Sequence, residues 1–411
     1  MRYNPLHKSI LRPISGIFNN NPPSGHLKVE ESGRFMVNGT DVFVIGGGPA
    51  GLAAAIAARR RGFHVVVADG NKPPIDKPCG EGLMPDSITA LQQLGVEIAP
   101  GEGYSLQGIK FLEKEKSASA RFPTGRGVGL RRPILHKKML DRAVAVGVQF
   151  LWETPVTGIR GDGVTLAGEN FVRAKWIIGA DGGQSRVRRW ARLESSNMRD
   201  SRLAWRAHFL IAPWSEYVEI HWADNAQAYV TPVSGNEVCV VMVSRNENRD
   251  IRVALNEFPE LGRRLSGETL SRPARGTITT MHRLKRVCRG NVALIGDASG
   301  SVDAITGEGL SLSFHQAVAL AEAMEKNCLD LYQKAHRHFA WRPTFMARLL
   351  LSLDGRTRLR RRTLTVFRDN PEVFARLISI HVGETSPAHF AATGALLGWR
   401  FLAASVEDSQ T

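Results

Sequence analysis

The sequence predicts an α/β fold in three parts. These are a domain of parallel strands and helices, an inserted antiparallel β-sheet, and a helical C-terminal part. Three observations predict it. An apolar run that breaks into a Gly-rich turn and then a helix occurs at Asp41 to Arg61, and its apolar-run-to-turn theme returns twice. Residues about 200 to 285 alternate apolar and polar residues as strands do. From about 327 onward the pattern is helical.

Val42 to Ile45 read as a short buried strand, and an Ala-rich helix, Leu52 to Arg61, follows the turn. Gly46, Gly48 and Gly51 stand between them at G-x-G-x-x-G spacing, with Pro49 and Ala50 inside the turn. Gly46 permits the tight turn, Gly48 lets backbone approach a pyrophosphate, and Gly51 lets the helix pack on the strand. The helix N-terminus offers free N–H groups and a partial positive charge to a diphosphate. A second strand, His64 to Ala68, ends in Asp69, about 20 residues downstream, where a ribose-binding acid is expected.

The loop Asn71 to Met84 holds two X-Pro steps and two glycines, which exclude regular structure. A helix is expected over Asp86 to Leu94, strands over 104 to 123, and an amphipathic helix from Arg131-Arg132-Pro133 to Val146, ended by Gly147. Trp176 to Arg188 repeats the strand and Gly/Asp turn at Asp181-Gly182, and Asn291 to Leu310 does so at Gly296-Asp297. Tyr217 to Trp222 and Glu237 to Val243 are the clearest antiparallel strands.

The domain boundaries follow. Residues 1–40 form a flexible leader, with Met36 as an alternative start. Residues 41–103, 124–195 and 286–330 form the nucleotide-binding domain. Residues 104–123 and 196–285 form the β-sheet domain, and 331–411 the helical basic region.

Apolar residues make up 43% of the chain and charged residues 23%, which places it among globular proteins. Four cysteines without a C-x-x-C pair argue against a disulfide framework or structural zinc, and no metal is expected. No apolar run reaches the ~20 residues of a membrane span, so a cytoplasmic location is expected. The formal charge of +15 calls for an acidic partner without choosing among nucleic acid, an anionic membrane surface and a phosphorylated substrate. Ten arginines against three acids stand between Arg337 and Arg376, densest at Arg360-Arg-Arg362 and interleaved with Leu349, Leu350, Leu351, Leu353, Leu359 and Leu364. That pattern reads either as a solvated basic face or as basic amphipathic helices touching the inner face of an anionic membrane. No aromatic-basic motif calls for nucleic acid.

The three turns together resemble the FAD-dependent family typified by p-hydroxybenzoate hydroxylase and geranylgeranyl reductase, over roughly residues 41 to 325. The resemblance implies a Rossmann-like FAD-binding domain in which Gly46, Gly48 and Gly51 hold the pyrophosphate, Asp69 the adenosine ribose, and Asp297 the flavin ribitol. It puts a polar FAD contact at Arg132, before the pattern Leu135, Met139, Leu140, Ala143. Asp181 and Gly182, with Ser185 and Arg188, match D-G-x-x-S-x-x-R, associated with FAD and NAD(P)H. Gly307 and Gly309 would bring backbone N–H groups to the flavin edge, where a helix start stabilises the reduced, anionic ring.

The branch is read from finer features. The run from Gly296 to Leu310 and the Lys77-x-Cys-Gly-x-Gly82 loop are similar to the reductases. The hydroxylase pattern puts His at Gly300 and prolines near Asp303 and Ala304. The reductases' Y-x-W-x-F-P motif survives only as Tyr229-Val-Thr-Pro232. The resemblance therefore implies an NAD(P)H-driven monooxygenase of an aromatic, polyketide or isoprenoid small molecule, or alternatively a reductase of prenyl double bonds. A rival from another class is a basic RNA- or membrane-binding protein with a vestigial nucleotide fold. Cys79, Glu81, His208, His221 and Tyr229 are the substrate-side candidates, each with a plain packing or surface role as its alternative.

Overall fold

The computed structural model describes residues 28–29, 35–36, 39–194, 198–224, 226–245, 250–302 and 306–383 of the 411. Within the expected leader, Lys28–Val29 and Phe35–Met36 form a short antiparallel pair. The segment from Ala391 to Ala404, which is apolar but interrupted by Arg400 and too short to span a membrane, lies outside the described residues.

Strand Thr40–Ile45 is buried from Val42 on and pairs in parallel with Val65–Ala68 and with Phe171–Gly179. Gln149–Leu151 and Val292–Leu294 extend the sheet, also in parallel. Valine and isoleucine dominate because both faces are covered, so no polar alternation is needed. The register sets Ile45, Ala68, Gly179 and Leu294 level with one another. The turns at Gly46, Asp69, Asp181 and Gly296 therefore leave the same carboxyl edge, where open α/β sheets bind ligands. A hairpin, Val156–Arg160 and Gly163–Leu166, prolongs the sheet off the first half of Phe171–Gly179. Its short, half-polar strands fall in a region for which the sequence analysis predicts no element.

Ten helices are described: α1 (Pro49–Arg59), α2 (Pro85–Gln93), α3 (Arg132–Ala145), α4 (Arg186–Trp190), α5 (Ile251–Ala254), α6 (Pro259–Leu265), α7 (Gly309–Glu325), α8 (Leu329–Leu353), α9 (Thr357–Asp369) and α10 (Pro371–His381). The alanines of α1 are buried from Ala53 to Ala58, which lets it lie close between the sheet and α7. Gly147 ends the α3 segment at a φ of 84°, as a helix stop requires.

The second sheet has eight strands in the order Gly300–Ser301, Leu270–Arg283, Met198–Phe209, Glu237–Ser244, Ala226–Ser234, Tyr217–Trp222, Gly108–Glu113 and Lys116–Arg121. It is antiparallel except where Tyr217–Trp222 meets Gly108–Glu113. Leu261, Phe258 and Phe209 form a core on one face, where α5 and α6 pack. The other face meets α9 and α10 through Phe111, Phe367 and Phe374, whose rings lie 4.7 to 4.9 Å apart. A three-stranded sheet of Gly82–Leu83, Gly127–Gly129 and Tyr104–Leu106 sits between the two large sheets. At Gly129 a Cβ would stand 1.7 Å from the Pro232 carbonyl oxygen, so only glycine lets the small sheet press against the large one.

The leucines of the basic C-terminal run pack inward, while Trp341 and Phe345 of the same run are exposed. Leu350, Leu353 and Leu364 are buried in the core beneath the sheet, with Leu349, Leu351 and Leu359 packed against it. Arg360, at the densest point of the run, is itself 1% exposed and pairs with Glu113 at 2.9 Å. No helix among the described residues is long and apolar enough to cross a membrane.

Candidate active site

The first turn is held as its glycines require. Gly46 has a φ of 113°, and a Cβ on Gly51 would stand 1.9 Å from the Gly46 carbonyl oxygen. Gly48 caps α1 without a side-chain bond, with Pro49 at the first helical position. The N–H groups of Ala50 and Gly51 are thus left for a ligand at the positive end of the helix. Asp69 accepts from the Gly47 N–H at 2.8 Å and from the Asn71 N–H at 2.8 Å, which fixes its carboxylate beside the turn.

Two supports of this turn carry no sequence signal. His136 of α3 is fully buried, with Nε2 2.9 Å from the Gly47 carbonyl oxygen; burial holds its pKa below the usual range. Trp152 lies against Gly47 so closely that a Cβ there would meet its ring at 2.4 Å.

The Asp181 carboxylate caps α4. It accepts from Ser185 Oγ at 2.5 Å and from the backbone of Arg186 at 2.6 Å and Val187 at 3.2 Å. Gly182 takes a φ of 84°. Arg188 then ties this turn to the third, donating to the carbonyls of Gly183 and Ala298. The third turn rests on α7 and α8. The Gly296 N–H donates to Gln316 at 2.9 Å, and His336 Nε2 lies 2.9 Å from Ser299 Oγ.

Three observations fit a charged dinucleotide lying along this edge. Asp297 is exposed at the end of its strand, within the field of the Arg132 and Lys77 charges. Arg132 Nε is buried and has no hydrogen-bond partner. Around Gly48, Gly307 and Gly309 a Cβ would meet nothing within 4 Å among the described residues, which leaves backbone there open to a ligand. Asp297 and Arg132 would hold the polar chain of FAD, and Gly307 and Gly309 would meet its ring.

The loop from Asp76 to Gly82 joins this cleft to the second sheet. Glu81 takes a φ of 59°, a left-handed conformation rare outside glycine. Its buried carboxylate explains the position. Oε1 accepts from the Arg132 N–H at 2.9 Å and from Arg206 at 3.3 Å, and Oε2 lies 2.6 Å from His208 Nε2. Arg206 also grips both oxygens of Asp76, at 2.7 and 2.9 Å. Burial works to raise Asp76, but Arg206 and Arg275 outweigh it and hold the carboxyl below its usual range. Arg206 itself rises, because Asp76 and Glu81 overcome the effect of its burial.

Cys239 lies opposite His208 in the sheet, and its thiol approaches the Cys79 carbonyl oxygen at 3.7 Å. Burial, then Glu81, pushes the thiol well up, so it stays neutral. Glu81, His208 and Cys239 place their ligand atoms within 4.8 Å of one another, a spacing a metal accepts and one the sequence did not show. The Arg206 guanidinium already in contact with Glu81 makes this a hydrogen-bonded ion-pair network instead. Cys79 is half-buried, and its sulfur accepts from the Glu81 N–H at 3.5 Å.

The structure thus brings Cys79, Glu81 and His208 together and adds Arg206 and Asp76, which the sequence reading passed over. Tyr229 lies on the same sheet face, one register step beyond Thr231, the cross-strand partner of Cys239. His221 does not join them. It alternates to the opposite face, with Nε2 3.1 Å from Glu219.

An open α/β sheet with three Gly/Asp turns level at its carboxyl edge is the arrangement of a dinucleotide-binding protein. The family model described as the FAD binding domain matches residues 39–344, and the chain belongs to that family. It is similar to digeranylgeranylglycerophospholipid reductase 1 of Methanococcoides burtonii, at 25% identity over 340 residues, 74% of this chain and 80% of that protein. It is also similar to rifampicin monooxygenase of Rhodococcus hoagii, at 31% identity over 159 residues, 36% of this chain and 33% of that one. Among solved structures, a flavoprotein/dehydrogenase from Cytophaga hutchinsonii superposes with a TM-score of 0.74 at 20% identity, covering 84% of this chain and 92% of that one. The protein is an FAD-dependent oxidoreductase with both reductases and monooxygenases among its relatives.

Proposed function

We propose that the protein is an NAD(P)H-driven reductase of a carbon–carbon double bond in a lipophilic, isoprenoid-type small molecule. The observation that carries this reading is the loop from Lys77 to Gly82. It hangs its one buried carboxylate between the cofactor edge and the sheet face, and it lies in a chain whose reductase similarity runs through 340 residues. FAD, when bound, supplies the hydride chemistry, with a nicotinamide as donor.

The chain's own residues do the remaining work. Asp297 and Arg132 fix the cofactor along the sheet edge. Glu81 orients His208 and holds the Arg206 guanidinium over the same space. Saturating the double bond adds a hydride and a proton, and the half-buried Cys79 thiol and the His208–Glu81 pair are the proton-bearing groups at this face.

A second reading is monooxygenation of an aromatic or polyketide substrate. The His208–Glu81 pair favours it, since a histidine backed by a carboxylate suits deprotonation of a phenol. Purified protein incubated without oxygen, with NADPH and a polyprenyl substrate, should yield a product two hydrogens heavier. Turnover only in air, with an oxygen atom added, would overturn the reductase reading in favour of the second.

A further inference from the structure

Beside the cofactor turn, a group of ionisable side chains lies outside the network just described. Glu308 stands immediately before α7, between the open glycines Gly307 and Gly309. It is 8% exposed, and among the described residues its Oε2 accepts no hydrogen bond. His381, the last residue of α10, puts its Nδ1 3.4 Å from that oxygen, and this nitrogen too has no hydrogen-bond partner. The ring's bond to the Thr306 backbone therefore engages the other nitrogen, Nε2. With Nε2–H donating to that carbonyl, Nδ1 carries the lone pair, and the proton between the two orphaned atoms belongs to Glu308.

The surroundings of the pair come from four helices. Asp86 of α2 accepts from Ser311 Oγ of α7, and its charge opposes ionisation of Glu308. Arg342 of α8 acts the other way on Glu308. His315 of α7 lies near both Asp86 and Arg342. Burial is the largest influence on each member. It pushes Glu308 well above the usual carboxylate range, and it pushes His381 and His315 down. These directions favour a neutral acid against a neutral imidazole at the start of α7, an arrangement that leaves the helix end its positive potential.

We propose that Glu308 is a positioning residue for the flavin, a protonated carboxyl kept neutral by burial and by His381, which makes the cofactor's reduction potential depend on one additional proton. Reduction of the flavin by a hydride leaves a negative charge on the ring, whose edge is expected at residues 307 to 309. A neutral Glu308 tolerates that charge. An ionised Glu308 repels it and must take a proton from solvent as the ring is reduced. Reduction then consumes one extra proton per two electrons above the pKa of Glu308 in the oxidised protein.

The inference rests on FAD as the cofactor and not on which substrate is reduced or oxygenated, and its test uses no substrate. The reduction potential of the purified holoprotein is measured against pH, for wild type and for Glu308→Gln, which mimics the neutral acid. The wild type should show an added fall of about 30 mV per pH unit in the alkaline limb, the value for one proton shared by two electrons. Glu308→Gln should match wild type at neutral pH and lack that added fall. Parallel slopes in the two proteins overturn the proposal. If the variant loses FAD or fails to fold, the redox difference infrared spectrum of the wild type decides alone. A protonated-carboxyl carbonyl band that moves on reduction supports the pair, and its absence overturns it. His381→Phe, which removes the acceptor but not the bulk, should shift the onset of the steep limb, and an unmoved onset overturns the part assigned to His381.

Discussion

His136 and His336 hold two of the three turns at the sheet's carboxyl edge, and neither belongs to a motif. His336 reaches Ser299 from a different helix and is buried enough that its pKa is pushed down from 6.5 to about 4. The folded protein therefore resists protonation that the unfolded chain accepts. Stability from the neutral ring is fully present above pH 6.5 and is lost as pH falls toward 4. The shift corresponds to about 3 kcal/mol. Denaturant unfolding of the wild type should weaken over that window, and His336→Gln should flatten this part of the profile; an unchanged profile would contradict the assignment. A lone histidine on a helix gives no local sign of a partner 37 positions away. The glycines at 46, 48 and 51 were legible because each answers a constraint only a few residues long.

At the scale of elements, α9 shows what pattern reveals and what it hides. Its apolar spacing marks an amphipathic helix, and the structure seats Leu364 and Phe367 against the sheet. The spacing also puts Arg360 on that inner face, where a run of three arginines reads as solvated surface. The arginine lies over the Trp222 ring at 5.8 Å and pairs with Glu113 and Asp224. Arg360→Ala would leave Glu113 buried without its main partner and should cost about 3–5 kcal/mol. Arg361→Ala, at an exposed neighbour, should cost at most about 1 kcal/mol. Denaturation midpoints of the two variants would separate them, and equal losses would refute the burial argument. The parallel strands were legible as apolar runs. The hairpin at 156–166 was not, since strands this short and half-polar resemble loops.

At the scale of the whole molecule, the cofactor edge is assembled from three stretches of chain far apart in sequence, brought level by strand register. A ligand spanning them stabilises only the folded arrangement. FAD at a hundredfold excess over its Kd should add about 2.7 kcal/mol to stability, seen as a rise in Tm. Asp297→Ala should diminish that gain and leave the FAD-free Tm nearly unchanged. A full gain in the variant would remove Asp297 from the cofactor site.

Docking of the two sheets also decides the substrate side. The sequence offered Cys79, Glu81, His208, His221 and Tyr229 as equals. The sheet's alternation turns His221 away, and the loop carrying Asp76 and Glu81 meets Arg206 and His208 of one strand more than 120 residues on.

By itself the sequence determined the nucleotide cradle, because strand, tight turn and helix start are set by neighbours through backbone sterics and capping. Only the tertiary structure decided which ionisable side chains meet at Glu81 and at Glu308. Those meetings depend on how separate elements pack, and burial in that packing sets which groups hold a proton.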